Sequence, residues 1–490
     1  MSAQTPNAVT LLSEWTAFLD AKDISEAAAN AAKNCVIDGL GCMIGGIGMA
    51  SSRMALDMFL NCGSGRQVSV PGSTERLGLL DAAWLGAHTM NVLDFNDCSR
   101  IGGFSNPGAT VIPAALALAE ARGSSGHAFL NAVIAGYEVS LRIGRATTAS
   151  IVRSSQVAGS STWQIFGSTA AAANLLGLGP QQVRSAFGIA AMQAPVPGIR
   201  KALEGVRPYG WIKNSYGIAA QAGLQAALLA ESGFHGHQDV FDGPHGFWAM
   251  AGSDRHDDSG YGGLGAEWLI SLTEFKPYAC CGWSHTMIEG LETLRSGLPS
   301  EQIEQVDVHG FSNFHESLGG ELPASIIDAQ FNARYLAALE LLDRSPANGL
   351  REKDLSDPEV GEMARRITLH RAPQYDVPHN CNMSAPVRIV MKLASGEVRD
   401  IYIEEPSTSI LRGGFQRRQI CEKFLGIAEP VIGEERAEEM LKCVLQIETF
   451  DIKTLTDLLT PAAPDRSDAG IAADAPRTTT IRSVAKESHG

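Results

Sequence analysis

The chain of 490 residues has no apolar run approaching the roughly 18 residues that a membrane-spanning helix needs, so a membrane protein is not expected. It also lacks a basic excess. Its 39 Lys+Arg stand against 54 Asp+Glu, a formal balance of −15, which argues against nucleic acid or an anionic membrane as partner. The nine cysteines are irregularly spaced without a C-x-x-C, and the adjacent Cys280 and Cys281 cannot form an ordinary bridge, so reduced, cytoplasmic thiols are expected. The N-terminal stretch lacks a basic segment followed by an unbroken apolar one, and no secretory signal is read there. No G-x-S-x-G elbow and no sequence signature of a catalytic thiol is present.

What the chain does have, from Ala8 to about Ala251, is helix built from small residues. Stretches such as Ser168–Leu178, Val183–Met192 and Tyr216–Ala230 are mostly Ala, Gly, Leu and Ile, and helices apolar all round are buried helices. Glycine, 51 residues in all, falls inside these helices as well as between them, which permits close helix–helix approach. Asp23 with Glu26 reads as a capping box for the helix that runs through Val36 and Leu40.

The texture changes after Gly260-Tyr261-Gly262-Gly263-Leu264-Gly265, whose spacing does not suit a dinucleotide loop and which reads as a linker. Beyond it, Val306–Phe311 reads as a strand and Ala329–Leu342 as a helix, while Val387–Leu393 and Val398–Ile403 alternate around a turn as a hairpin. Helical periodicity returns at Arg417–Leu425 and Glu434–Leu445. The expected fold is therefore mainly α: a large all-helical domain (1–270 plus 408–460) interrupted by a smaller α+β lid domain (271–407). A polar tail, 461–490, is too poor in apolar mass to order itself.

Several segments carry chemistry-bearing side chains. His235, His237, Asp239, Asp242 and His245 offer metal-ligand types, but in a Gly-rich loop without a rigid helix, so a solvated loop is the stronger reading and no metal is assigned. Asp94 and Asp97 lie where an apolar helix (Ala82–Val92) ends in a Gly-rich loop, a place from which a buried helix can present acids to a cavity. Arg200, Lys201, Arg207 and Lys213 cluster before a buried helix, where they can meet an anionic ligand or merely pair with acids. Lys276, in Glu274–His285 just past the linker, has the reach to close on a ligand at a domain junction.

In this order and layout, these segments resemble the MmgE/PrpD family. The resemblance rests on Val36–Gly41, on Leu93–Asp97 leading into Thr110–Ala114, and on Gly136-Tyr137-Glu138 with Arg142–Arg145. It continues through Ala170–Leu178, Tyr216–Ala220 and Lys276–Cys281, and spans the chain to about residue 460. It implies a homodimer whose site lies in the cleft between helical domain and lid, acts on a small-molecule substrate and needs no metal or organic cofactor. It also implies that Asp94 is the active-site acid and Lys276 the lid lysine that binds substrate carboxylate.

Elsewhere the chain departs from the family pattern. Asn106 stands where a histidine precedes Pro, and a second histidine falls near Gly159 with Trp163 and Gln164 just downstream. The lysine before the Tyr216 helix falls on Ile212, with Lys213 adjacent, and the lid tyrosine falls near Ser317, close to His315. Removing a proton next to a carboxylate needs a base near the working pH and positive charge for the enediolate, so these replacements bear on the reaction. Asp97, Cys98, Lys213, His285 and His315 are the candidates for the missing base, with Asn106, Trp163, Gln164 and Tyr278 as further substrate-binding residues. If Trp163, Phe166, Trp211 and Trp283 line the cleft, it is more apolar and suits a substrate with fewer carboxylates.

Three functions follow from the resemblance. The first is a cofactor-independent lyase, dehydrating or decarboxylating a carboxylic acid. The second is an isomerase, epimerase or cyclase on a less charged, secondary-metabolite substrate. The third is a non-catalytic binding homologue.

Overall fold

The computed structural model describes residues 7–461, apart from 64, 104, 155, 159, 197 and 200–208. The candidate cations Arg200, Lys201 and Arg207, the Gly159 position and the tail beyond Pro461 lie outside the described residues.

Small residues set the architecture of the first 250 residues. The helix Gly126–Ala146 lies along Ile165–Leu175, which in turn lies along Tyr216–Glu231. At these crossings an added Cβ on Gly136 would meet Val111 and the Gly167 carbonyl, and one on Gly223 would meet Ser168 and the Ile165 carbonyl. Gly126–Ala146 buries almost every residue, including Glu138 and Arg142 on its polar face. Its lone charged pair in the core, Glu138 and Arg142, bonds to itself and to the chain segment 262–270.

The helix Glu26–Gly46 begins at Ser25, whose hydroxyl accepts from the Ala28 N–H. Asp23 instead closes a short 3-10 turn, so the capping residue lies two positions later than the spacing suggests. Arg417–Ile432 lies along this helix, and Ile420 and Phe424 share a core with Val36 and Leu40. No single described helix is long and apolar enough to cross a membrane. Glu26–Gly46 and Ala50–Cys62 reach that composition only as a pair bent by 82°.

The C-terminal α+β unit holds a four-stranded mixed sheet in the order Ile367–Arg371, Ile303–Gly310, Val387–Leu393, Val398–Ile403. The last two strands form the hairpin that the alternation predicts, with Val387 opposite Ile403 and Lys392 opposite Val398. Ile367–Arg371 pairs parallel with Ile303–Gly310; its alternation, I-T-L-H, is short, and this strand is not among those expected from the sequence. The helix expected over 329–342 is interrupted. Ile326–Ala329 forms one turn, Asn332 caps Ala333–Leu341 through Tyr335 N–H, and Gln330 lies in the break.

Candidate active site

The helix Leu79–Val92 ends at Leu93, and the next residue, Asp94, adopts the left-handed conformation with φ 53°. A non-glycine residue held there costs on the order of 1–3 kcal/mol unless its surroundings enforce it, and aspartate is among the residues that tolerate it best. The turn aims the Asp94 carboxylate at two buried ammoniums. Lys213 Nζ lies 2.6 Å from Oδ1, and Lys276 Nζ lies 3.0 Å from Oδ2. Lys276 also donates to the Asp94 carbonyl at 3.0 Å and to the Cys280 carbonyl at 3.3 Å, so its three protons are all engaged.

Lys213 spends its second proton on Gln330 Oε1 at 3.0 Å, and Gln330 Nε2 donates to the Val92 carbonyl at 2.8 Å. Gln330 thereby joins the C-terminal α+β unit to the end of the Asp94 helix, and the helix break just described is what frees its side chain to do so. Lys213 also lies over the Phe331 ring, 5.2 Å from its centroid. On its other side is a cavity of about 10 Å³, room for one water, lined by His88, Asn91, Trp211, Asn214 and Tyr216 among others. The structure thus places Lys213 against Asp94, whereas Ile212 is 62% exposed.

Burial opposes charge on all three groups. It would raise the Asp94 carboxyl, but the two ammoniums outweigh it and hold Asp94 well below the ordinary carboxylate range. Lys276, which burial would lower, is held above its ordinary value by Asp94. Lys213 is lowered by burial, only partly offset by Asp94, and pushed further down by Lys276. Of the two lysines, Lys213 is therefore the one from which a proton is most easily taken.

Behind Asp94 a second carboxylate is buried. Asp97 Oδ2 accepts from the Tyr137 hydroxyl at 2.8 Å and from Gly108 N–H at 3.2 Å, while Oδ1 accepts from Asn96 Nδ2 at 3.2 Å. Burial and the nearby Asp38 carboxylate raise its pKa to about 6. A folded-state pKa above the unfolded value of about 4 means that the native protein binds this proton more tightly. The stabilisation is full below about pH 4 and is lost as pH rises through about 6. Asp97→Asn is expected to flatten that part of the stability–pH curve, by on the order of 2 kcal/mol between pH 4 and 7. Urea denaturation of both proteins over that range measures it, and parallel curves would refute it.

The other candidates are placed as follows. Asn106 and Gln164 are buried and mutually bonded: Gln164 Nε2 donates to the Asn106 carbonyl at 2.6 Å. Asn106 Nδ2 donates to the Asp97 carbonyl at 2.7 Å, and its Oδ1 accepts from the Tyr216 hydroxyl at 3.0 Å. Both amides hold the loop behind Asp97 together. Trp163 lies against Gly144 and belongs to the helical core, as does Phe166, which packs on Phe187, Phe241 and Phe247. Trp283 packs on Phe311 and His379 inside the lid, so only Trp211 of the four aromatics borders the Lys213 cavity.

Cys98 is buried, forms a backbone bridge with Glu274 and has its thiol pKa raised far by burial, so it is no thiolate. Tyr278 packs edge-on to His285, and burial together with Lys276 lowers His285 to about 3, which keeps it neutral. His315 sits half-buried on the lid helix Ser312–Leu318, and among the described residues no hydrogen bond or ion pair joins it to Asp94 or the two lysines. The metal-ligand types at 235–245 do not converge: Asp242 caps the helix Ala8–Phe18 through the Ala8 N–H at 2.8 Å.

Sequence reasoning missed Gln330, which shows no motif and matters through its place in a helix break. It also missed Arg100. This guanidinium binds Glu274 at 2.9 Å and Glu405 at 2.8 Å, fastening the segments on either side of the four-stranded sheet to the loop that follows Asp97.

Asp94, Lys213 and Lys276, far apart in sequence, converge in one buried cluster. Sequence comparison divides the chain between residues 258 and 278, with Lys276 between the two matched domains and 408–449 inside the second. The MmgE/PrpD N-terminal domain matches residues 10–258 and the MmgE/PrpD C-terminal domain matches residues 278–449, so the chain belongs to the MmgE/PrpD family. It is similar to a cis-aconitate decarboxylase of Aspergillus terreus, 27% identical over 91% of this chain and 94% of the relative. A cis-aconitate decarboxylase-like protein, oryM, of Aspergillus oryzae is 28% identical over 92% and 97%. The human cis-aconitate decarboxylase is 24% identical over 78% and 80%.

Proposed function

We propose that the chain is a cofactor-independent lyase that breaks a carbon–carbon or carbon–oxygen bond beside a carboxylate, with decarboxylation as the leading reaction. The observation that carries this reading is the bridging of Asp94 between Lys213 and Lys276 at the junction of the helical part and the lid. Kinship with proteins named as cis-aconitate decarboxylases supports it.

In this mechanism an incoming carboxylate competes with Asp94 for Lys276, the more firmly protonated of the two lysines, and is anchored there. The second polar end of the substrate lies towards Lys213 and its cavity. As carbon dioxide leaves, the electron pair of the broken bond is delocalised next to Lys213, where the ammonium stabilises it and delivers the proton that replaces the lost carboxyl group. Asp94, ionised throughout, fixes both lysines, and the proton that Lys213 gives up is replaced from solvent. The balance is one carboxylate plus one proton giving one carbon–hydrogen bond and carbon dioxide. The working assembly is a homodimer in this reading, acting in the cytoplasm on a small carboxylic acid.

The test is incubation with cis-aconitate and with mono-, di- and tricarboxylates of similar size, followed by mass spectrometry. Loss of carbon dioxide or of water supports the lyase. A product of unchanged mass transfers the reading to an isomerase or cyclase, and no turnover across the panel transfers it to a binding homologue.

A further inference from the structure

The turn that carries Asp94 is clamped from below by a buried ion pair with no part in the chemistry proposed above. Lys423, on the helix Arg417–Ile432, reaches Asp38 Oδ1 on the helix Glu26–Gly46 at 2.6 Å, and both side chains are buried. The same ammonium donates to the carbonyl of Phe95 and lies 4.1 Å from the centroid of the Phe95 ring. The other oxygen of Asp38 accepts the backbone N–H of Asp97 at 2.9 Å. The pair thus grips both ends of the segment 95–97, immediately after the left-handed Asp94.

A buried ion pair is weak evidence for stability, because an apolar pair of similar volume often serves as well or better. What an apolar pair does not offer is a donor for the Phe95 carbonyl and an acceptor for the Asp97 N–H. Without them a residue at φ 53° is held by its own bonds to the two lysines and to the Asn91 carbonyl, with the following segment free to relax and to swing its carboxylate away.

We infer that Lys423 and Asp38 are positioning residues: their buried pair holds the Asp94 turn in its left-handed conformation and so sets the carboxylate between Lys213 and Lys276. The helix Arg417–Ile432 thereby bears on the site without contributing a side chain to it directly. The inference rests on Asp94 being the working carboxylate, but its structural half stands apart from any reaction.

The test is a crystal structure of Lys423→Met and of the double variant Asp38→Asn with Lys423→Met, which leaves no unpaired charge. In both, Asp94 is expected to leave positive φ and at least one of its lysine contacts to open beyond 4 Å. With whichever acid the panel identifies, kcat is expected to fall about 100-fold with KM nearly unchanged, as a misplacement of about 1 Å entails. Lys423→Arg, which keeps a donor for the Phe95 carbonyl, should recover part of that loss. Asp94 unmoved in the double variant would overturn the inference. So would failure of both variants to fold, since the pair would then belong to the folding core. A displaced Asp94 with no turnover by the wild type would uphold the positioning and sink only the lyase.

Discussion

Asp94→Asn is expected to abolish turnover of the true substrate, with kcat/KM falling by about 100- to 10,000-fold, the range that acid–base groups contribute. Asparagine keeps the size of the side chain and can still accept from one lysine, but it leaves two buried ammoniums facing one another without an anion. Lys213, already lowered by burial, would then be lowered further, and with its proton would go the charge that the broken bond requires. Lys276→Ala is expected to be as damaging by a different route: the carboxylate anchor is lost, and Asp94 is left with Lys213 alone. Circular dichroism should show both variants folded. Full activity in both would dispose of the mechanism, whereas a loss confined to KM would demote Asp94 to a binding group.

The parts of this site differ in how visible they are in the sequence. Asp94 and Lys276 are legible because each sits in a segment of unusual composition, one at the end of an apolar helix and one just past a Gly-rich stretch. Lys213 is legible only to within one residue. The loop before the Tyr216 helix fixes no periodicity, and its contact with Asp94 decides between it and Ile212. Gln330 is invisible, because a helix pattern running from 329 to 342 gives no sign that the turn breaks after Ala329.

The fold shows the same gradient. Helices apolar all round and a hairpin with clean alternation are written locally, and both appear where expected. The strand Ile367–Arg371 is defined by a parallel partner some sixty positions earlier, and its own alternation covers only four residues. Asn106 and Gln164 suggest ligand contact by type, yet their polar atoms are spent on each other, on Asp97 and on Tyr216, which only the packed structure reveals.

Arg142→Met is expected to destabilise the fold by about 3–5 kcal/mol near pH 8, the usual consequence of removing one partner from a buried pair. Glu138 and Arg142 are both fully buried and bond to each other one helical turn apart. Arg142 also donates to the carbonyls of Gly262 at 3.1 Å and Glu267 at 2.8 Å, and Glu138 accepts from Ile270 N–H at 2.8 Å. The Gly-rich stretch that reads as a linker is therefore stapled to the core helix a few residues before Glu274 and Lys276 enter the cleft.

Burial already raises the Glu138 carboxyl even with Arg142 opposing it, so methionine in place of the arginine raises it further. A raised folded-state pKa means that protonation favours the native state, and the destabilisation should shrink as pH falls towards 5. Urea denaturation at pH 5 and pH 8 measures the difference, and equal losses at both values would contradict the assignment. Adding Glu138→Gln, which removes the stranded charge, should recover much of the stability at pH 8 without restoring the two carbonyl contacts. That double variant should stay folded yet be cut by protease within 260–267 faster than the wild type, because the arginine is what ties this segment, and through it the approach of Lys276, to the helical core.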